Sequence, residues 1–413
     1  MQSPLSRRRF LFASTALGVS AIGGCSLDRR TVALSQGQSS APSSTPTESP
    51  QTTESSMTPS ARSSAGRAPE TRHYERTGFP QVADTALRLD AKGAQALRAA
   101  GVRTLFRYYC HLPASIPGKD LQPEEARILF GEGLSIAAVF QHYSNCFLTF
   151  ENRWGKEDAQ RALEQAATIG QPTGSAIYFA VDADWPYDVQ QGAITEYFEA
   201  VNKVFERTGF AVGVYSNGCV CNLVRTKGLA TYAWLSASTG HSGTQAYFNS
   251  GAWTLYQNAV DITPDALGFA VDTSLVNPAS SGYFGQFDEA GTTSAAHAVE
   301  DARALLEERR FLRSENELRA KPKKGAKSFV TLKKDQNVRL LEAKKHWSKV
   351  LTQEGGDRRN GAESKVGWIE NKKLSSMDAF PDNVSTFGLC GSTKSPDPSF
   401  KDAHCERALS RRR

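Results

Sequence analysis

A (β/α)8 barrel of the TIM type, in the α/β class, with a disordered N-terminal tether and a basic C-terminal extension, is the fold this sequence predicts. Three observations carry that prediction. Eight short runs rich in β-branched and aromatic residues recur between residues 77 and 287. Stretches with helical spacing and helix start and stop signals separate the earlier runs. The first run, VADTALRLD, is followed by no Gly-x-Gly phosphate loop, which an open dinucleotide-binding sheet would carry. Strand and helix alternating over about 200 residues point to a parallel barrel at the small end of its size range.

The strands are expected at 82–87, 104–109, 135–142, 176–184, 211–217, 232–238, 253–259 and 269–277. Between the early ones, Asp90 is placed to cap AKGAQALRAAG, which stops at Gly101, and Pro123, followed by Glu124 and Glu125, suits a first helical turn. DVQQGAITEYFEAVNKVFERTG has apolar positions at helical spacing and ends at Gly209. TGHSGTQAYFNSGA, between the sixth and seventh strands, shows little helical pattern.

The flanks differ sharply from this middle part, although the whole chain, 413 residues with 22% charged and 39% hydrophobic, has an ordinary soluble composition. In residues 1–25, Arg7, Arg8 and Arg9 precede Phe10-Leu11 and a short segment of small apolar residues, too short for a persuasive membrane span, which reads as an export signal. It resembles the twin-arginine translocation motif, with Phe12 where a lysine is common. Ile22-Gly23-Gly24-Cys25 is similar to a bacterial lipobox, which implies a lipid at Cys25 and an extracytoplasmic protein held at the membrane. Residues 26–76, dominated by Ser, Thr, Pro and Glu, carry too little apolar surface to offset the entropy of ordering, so a flexible tether is expected there. From 288 to 413 a helical stretch, SAAHAVEDARALLEERRFL, gives way to KPKKGAKSFVTLKKDQ, and a largely disordered extension is expected. The net charge of +6 favours anionic lipids or wall polymers as partners of an exported chain, and no nucleic-acid partner is expected.

Active sites of such barrels lie at the C-terminal ends of the strands. AIYFAVDAD finishes there with Asp182 and Asp184, which are expected to project together from one face of the strand's C-terminal end, and two like charges side by side are tolerated most often where chemistry needs them. Asp84 on the first strand and Asp272 on the eighth, its neighbour on closure, complete a carboxylate set. Arg107, Tyr109, Gln141, Tyr215, Asn217 and Gln257 are expected to surround it, and aromatic and amide groups around carboxylates suit a sugar. Tyr215, Trp234 and Trp253 also fit plain barrel packing, and one aspartate of the 182/184 pair fits a helix cap. Other chemistries lack their signatures. His111 and His142 have no zinc spacing; Asp182-x-Asp184-x-x-x-Asp188 is interrupted by Pro186 and lacks a calcium loop's glycine; and GVYSNG lacks Gly-x-Ser-x-Gly. No metal and no cofactor are expected. Of seven cysteines, Cys110, Cys146, Cys219 and Cys221 fall in the barrel; their pairing is open, except that Cys219 and Cys221 are too close to each other for a relaxed bridge.

Together the landmarks Ala83-Asp84-Thr85, FRYY, IYFAVDAD, GVYSNG, WLSAS, Trp253-x-Leu-Tyr-Gln257 and Val271-Asp272-Thr-Ser-Leu-Val resemble an exported glycoside-hydrolase-like domain family. That family was formerly a domain of unknown function, is common in actinobacteria, and is distantly similar to the family 25 lysozymes. The resemblance implies a barrel, a cell-wall polysaccharide such as peptidoglycan as partner, and active-site positions at Asp84, Asp182, Asp184 and Asp272. It further implies Asp184 as general acid, Asp182 as base or as the group orienting an acetamido substituent, and Asp84 and Asp272 as stabilisers of charge at the anomeric carbon. Where the lysozymes carry Asp-x-Glu, this chain has the shorter Asp184. A catalytically silent glycan-binding or structural envelope module is the alternative reading.

Overall fold

The computed structural model describes residues 79–375, apart from 115, 151, 186–188, 265–266 and 353–364. The signal, Cys25, the tether and residues 376–413 lie outside the described residues.

Eight strands close a barrel: β1 (Val82–Asp84), β2 (Thr104–Tyr109), β3 (Ser135–Phe140), β4 (Ala176–Ala180), β5 (Ala211–Ser216), β6 (Tyr232–Leu235), β7 (Leu255–Ile262) and β8 (Val271–Val276). Neighbours from β1 through β7 pair in parallel, but β8 runs antiparallel to both β7 and β1. The wholly parallel barrel expected from the sequence is therefore corrected at its last strand. The physical reason is connection length. Only residues 263–270 link β7 to β8, and a parallel return needs a crossover of about a dozen residues or more.

The pleat sorts side chains into two cores. Inside the barrel, Val82, Phe106, Val139, Tyr178, Trp234 and Leu255 pack together, with the Phe106 ring 4.1 Å from Trp234 and 5.2 Å from Tyr178 between centroids. Gly213 makes room for this cluster, since a Cβ there would lie 2.5 Å from the Tyr178 ring. Outside, Leu105, Ile177, Phe179 and Val214 meet helix residues including Leu97, Leu129, Phe198 and Val220. Each such buried side chain contributes about 1.5–3 kcal/mol relative to exposure.

The helices are α1 (Ala91–Ala100), α2 (Pro123–Gly131), α3 (Asn152–Ile169), a π-helical turn (Gln190–Ile194) leading into α4 (Thr195–Phe205), α5 (Gly218–Thr226), α6 (Thr244–Ser250) and α7 (Ala296–Glu308). The expected signals at α1 are present: Asp90 accepts from the Gly93 N–H at 2.8 Å, and Gly101 closes the helix with φ 109°. The segment expected to run to Gly209 leaves helical geometry after Phe205, and the irregular stretch before β7 contains the short α6. Cys146 and Cys219 are disulfide-bonded, whereas Cys110 and Cys221 are free and buried. Among the described residues, no helix is long and apolar enough to cross a membrane.

Where the sequence leads to a disordered extension from 288, the structure departs from expectation through residue 375. After β9 (Phe287–Asp288), β10 (Gly291–Thr292) and α7, six strands form an antiparallel sheet: β11 (Arg309–Phe311), β12 (Asn316–Arg319), β13 (Ser328–Leu332), β14 (Asn337–Ala343), β15 (Trp347–Thr352) and β16 (Val366–Glu370), in the order β11-β14-β15-β16-β12-β13. Leu312, Leu318, Leu332, Val338, Val350, Ile369 and Leu374 give it a core of its own. The Arg309 guanidinium joins it to the barrel, lying 5.3 Å from the Tyr256 ring and 5.6 Å from that of Phe311.

Candidate active site

The site is built first by strand parity. Side chains two apart share a face, so Asp84 follows Val82 inward, Tyr108 follows Phe106, and Asp272 turns inward opposite Asp84, its direct partner in the β1–β8 register. The reversal of β8 puts Asp272 at the mouth, because the start of an antiparallel strand lies beside the end of its neighbour. Facing carboxylates repel, and Gln257 on β7 bridges them. Its amide nitrogen donates to Asp84 Oδ1 and to Asp272 Oδ2, each at 3.2 Å, while its carbonyl accepts from the Tyr215 hydroxyl at 2.8 Å. Tyr108 donates to Asp84 Oδ2 at 2.7 Å. The other Asp272 oxygen accepts the Asp261 N–H at 2.7 Å, from a residue held at φ 52°; left-handed backbone at a non-glycine residue concentrates at functional sites.

The electrostatics draw a third aspartate into the same region. Burial pushes the Tyr215 hydroxyl well above its usual range, and the charges of Asp182, Asp84 and Asp272 push it further. Burial also raises Tyr108, reinforced by Asp84 and Asp272. Both phenols therefore stay protonated and keep donating. Asp182 is exposed, and Gln141 donates to it at 3.3 Å.

Asp182 and Asp184 do not project together. Strand β4 ends at Ala180, so the period of two no longer governs them, and the side chains diverge. Asp184 Oδ1 accepts from Asn217 Nδ2 and from the Ser242 N–H, both at 3.1 Å, and its Oδ2 accepts the Ser242 hydroxyl at 3.1 Å. Asn217 also caps α5, accepting from the Val220 N–H at 3.0 Å. This pair ties the end of β4 to the loops before α5 and α6.

Arg107 and Tyr109 lie on the opposite face of β2 from Tyr108, among the helices. Arg107 is fully buried in a two-pronged pair with Glu125 at 2.8 and 2.9 Å, and Tyr109 donates to Gln171 at 2.8 Å. Their expected contact with substrate is corrected by that parity. Gln141, Tyr215 and Gln257 do sit at the mouth, and Asn217 follows β5, bonded to Asp184.

Lys119 is a residue the sequence reading missed. It is buried in the β2–α2 connection, donates to Gln141 Oε1 at 2.6 Å and lies 4.5 Å from the Tyr108 ring centroid. A lone lysine in a loop gives no sequence signal; only the fold brings it to the carboxylates. Burial lowers its pKa from 10.5 to about 8, against the opposing pull of Cys110, Asp182 and Asp84. The folded chain thus releases this proton near pH 8 while the unfolded chain holds it to about 10.5. Stability of the native chain relative to Lys119→Met should therefore rise between those values, by about 3 kcal/mol at most. Thermal melts of both proteins at pH 7 and pH 10 measure this, and a gap that does not move would contradict the assignment.

The eight strands close a barrel, with Asp84 and Asp272 directly opposite each other across β1 and β8. Residues 95–273, most of the barrel, match the family model of the Rv2525c-like, glycoside hydrolase-like domain. The chain is 32% identical over 179 residues to FadG, an uncharacterized protein of Bacillus subtilis (strain 168), covering 41% of this chain and 31% of FadG. It is 30% identical over 148 residues to Rv2525c of Mycobacterium tuberculosis (strain ATCC 25618 / H37Rv), named as a proposed peptidoglycan hydrolase, covering 34% of this chain and 60% of that protein. The chain thus spans less than two thirds of either relative. A crystal structure of Rv2525c, described as Tat-secreted and in complex with L-tartrate, is 27% identical, with a TM-score of 0.43 over 50% of this chain and 98% of that one.

Proposed function

We propose that the barrel mouth binds a cell-wall glycan of the peptidoglycan type and hydrolyses a glycosidic bond in it. The observation that carries this reading is the geometry of the mouth: Asp84 faces Asp272 across β1 and β8, Gln257 bridges the two and accepts from half-buried Tyr215, and Gln141 holds the exposed Asp182 nearby. Glycoside hydrolysis needs one carboxyl group to protonate the leaving oxygen and negative charge to stabilise the anomeric carbon as the bond breaks; water then adds at that carbon and gives its proton to the carboxylate the acid has become. Asp182, the exposed member, takes the first role, which the family resemblance alone gave to Asp184. Asp84 and Asp272, locked by Gln257 and Tyr108, supply fixed negative charge without reorganising. Gln141 and Lys119 offer donors to sugar hydroxyls, and the Tyr215 hydroxyl oxygen, its proton committed to Gln257, can accept from one. Asp184, with three hydrogen bonds already accepted, holds the loops in place.

Export and a lipid at Cys25 complete the proposal. They are supported by the Arg7-Arg8 and Gly23-Gly24-Cys25 motifs and by the similarity to a relative named as Tat-secreted. A tethered barrel of this kind would reach wall polymers from the membrane surface.

One feature favours a silent binding module as the second reading: every oxygen of the Asp84–Asp272 pair accepts a hydrogen bond within the protein. The deciding experiment incubates the purified chain with peptidoglycan and with chitin-type oligomers, following new reducing ends and equilibrium binding in parallel. New reducing ends support the hydrolase. Saturable binding without them supports the module, and neither result on any glycan would overturn both.

A further inference from the structure

We propose that the C-terminal sheet carries a second binding site, separate from the barrel mouth, for a phosphodiester-linked polyol or sugar polymer. A cleft of about 510 Å³ opens on this sheet, lined by Lys323, Lys324, Lys345, His346, Trp347 and Lys372 among others. The residues come from three separate segments: the β12–β13 turn, the β14–β15 hairpin and the turn after β16. Four lysines and a histidine therefore converge from distant points of the sequence, with Glu370 as the opposing charge in the lining.

The cleft walls are held by hydrogen bonds. Asn371 donates from its backbone to His346 O at 3.0 Å and from its side chain to Lys344 O at 2.7 Å, and its Oδ1 accepts from Ser348 at 2.8 Å. The hairpin closes through Lys344 N–H to Trp347 O at 2.8 Å. The surplus of positive charge shows in Glu370, whose carboxyl is held below its usual range by the hydrogen bond from Lys372 and by the charges of Lys372, Lys324 and Lys373. One carboxylate does not neutralise this set.

The arrangement selects a class of ligand. Lysine ammoniums on flexible stems act as point charges that suit phosphates at variable spacing. The half-buried Trp347 between them offers an apolar ring face to the CH groups of a polyol or sugar. A groove accepts a chain, whereas a bilayer presents a flat surface. Lys323, Lys324, Lys345 and Lys372 are all exposed, and of these four Lys372 is the one paired with the cleft's single carboxylate, Glu370, at 3.0 Å.

The test uses the full chain and three probes: synthetic poly(glycerol phosphate), a single-stranded thymidine oligonucleotide, and phosphatidylglycerol/phosphatidylcholine vesicles. Saturable binding to poly(glycerol phosphate) is expected, weakening as salt is raised from about 50 to about 200 mM because screening shortens the reach of each charge. Lys323→Glu/Lys324→Glu/Lys345→Glu should weaken it about tenfold or more, whereas Lys92→Glu/Lys227→Glu, the same kind of change at exposed barrel lysines, should leave it within about twofold. Hydrogen exchange on the unaltered protein provides a readout independent of any variant's folding: the polymer should protect residues 321–327 and 344–347 and leave the barrel strands unchanged. Absence of saturable binding, equal losses in the two sets of variants, tighter binding to the oligonucleotide or the vesicles, or protection confined to the barrel would each overturn the proposal.

Discussion

Asp182→Asn will lower glycan turnover by about a hundredfold or more while leaving the melting temperature nearly unchanged, and Asp184→Ala will do the reverse. Two residues apart in sequence, the pair is expected to separate because β4 stops at Ala180. Asp182 is exposed at the mouth and accepts from Gln141 at 3.3 Å, so an amide there removes a carboxylate oxygen and little packing. Asp184 receives three donors from Asn217 and Ser242, and truncation removes the acceptor of the Ser242 N–H and leaves Asn217 Nδ2 with its long bond to the Ala183 carbonyl at 3.4 Å. That costs about 1–3 kcal/mol, or roughly 2–4 °C per kcal/mol in a barrel of this size. Reducing-end release and thermal melts on the same preparations read both effects. Loss of turnover in Asp184→Ala at full stability, with Asp182→Asn still active, would return the acid role to Asp184.

The sequence makes the eight barrel strands legible because β-branched runs and their punctuation are local properties, and Asp90 and Gly101 mark α1 for the same reason. Direction is less local. The β8 run looks the same whether its neighbours are parallel or antiparallel, and the informative feature is the short 263–270 connection, which bears on topology only once both strands are placed. Parity within β2 separates Tyr108 from Tyr109; FRYY is apolar enough on both faces that the pattern gives no register, and only pairing with β1 fixes which side faces inward. The C-terminal sheet is concealed by its lysines. In β15, Ser348, Val350 and Thr352 are buried in alternation with half-buried Trp347, Lys349 and Leu351, a valid strand pattern whose polar half dominates the composition. Lys119 illustrates the remaining class, a residue whose neighbours come from other strands and whose own segment carries no motif.

Arg107→Met should be the most damaging single substitution near the site, through stability and not through substrate affinity. The guanidinium is wholly buried. It makes two hydrogen bonds to Glu125, one at 2.7 Å to the carbonyl of Thr85 and one at 3.3 Å to that of Gly118. Glu125 in turn accepts the Leu89 N–H at 2.9 Å, so one ion pair joins the segment after β1, strand β2, the loop bearing Lys119, and α2. Removing one partner strands a buried charge, which typically costs about 3–5 kcal/mol, whereas replacing both with apolar groups of similar volume is often neutral. Arg107→Met should therefore lower the melting temperature by about 10 °C, and Arg107→Met/Glu125→Leu should recover most of that loss. A substrate-contact role makes the opposite forecast: a raised KM in Arg107→Met, a melting temperature close to that of the unaltered protein, and no recovery on changing Glu125. Thermal melts of the two variants, with KM measured on whichever glycan proves to be cleaved, separate these outcomes. Gly118 precedes Lys119, so the single variant should also loosen Lys119 from Gln141, and the double variant should retain that defect because neither methionine nor leucine can donate to the Gly118 carbonyl.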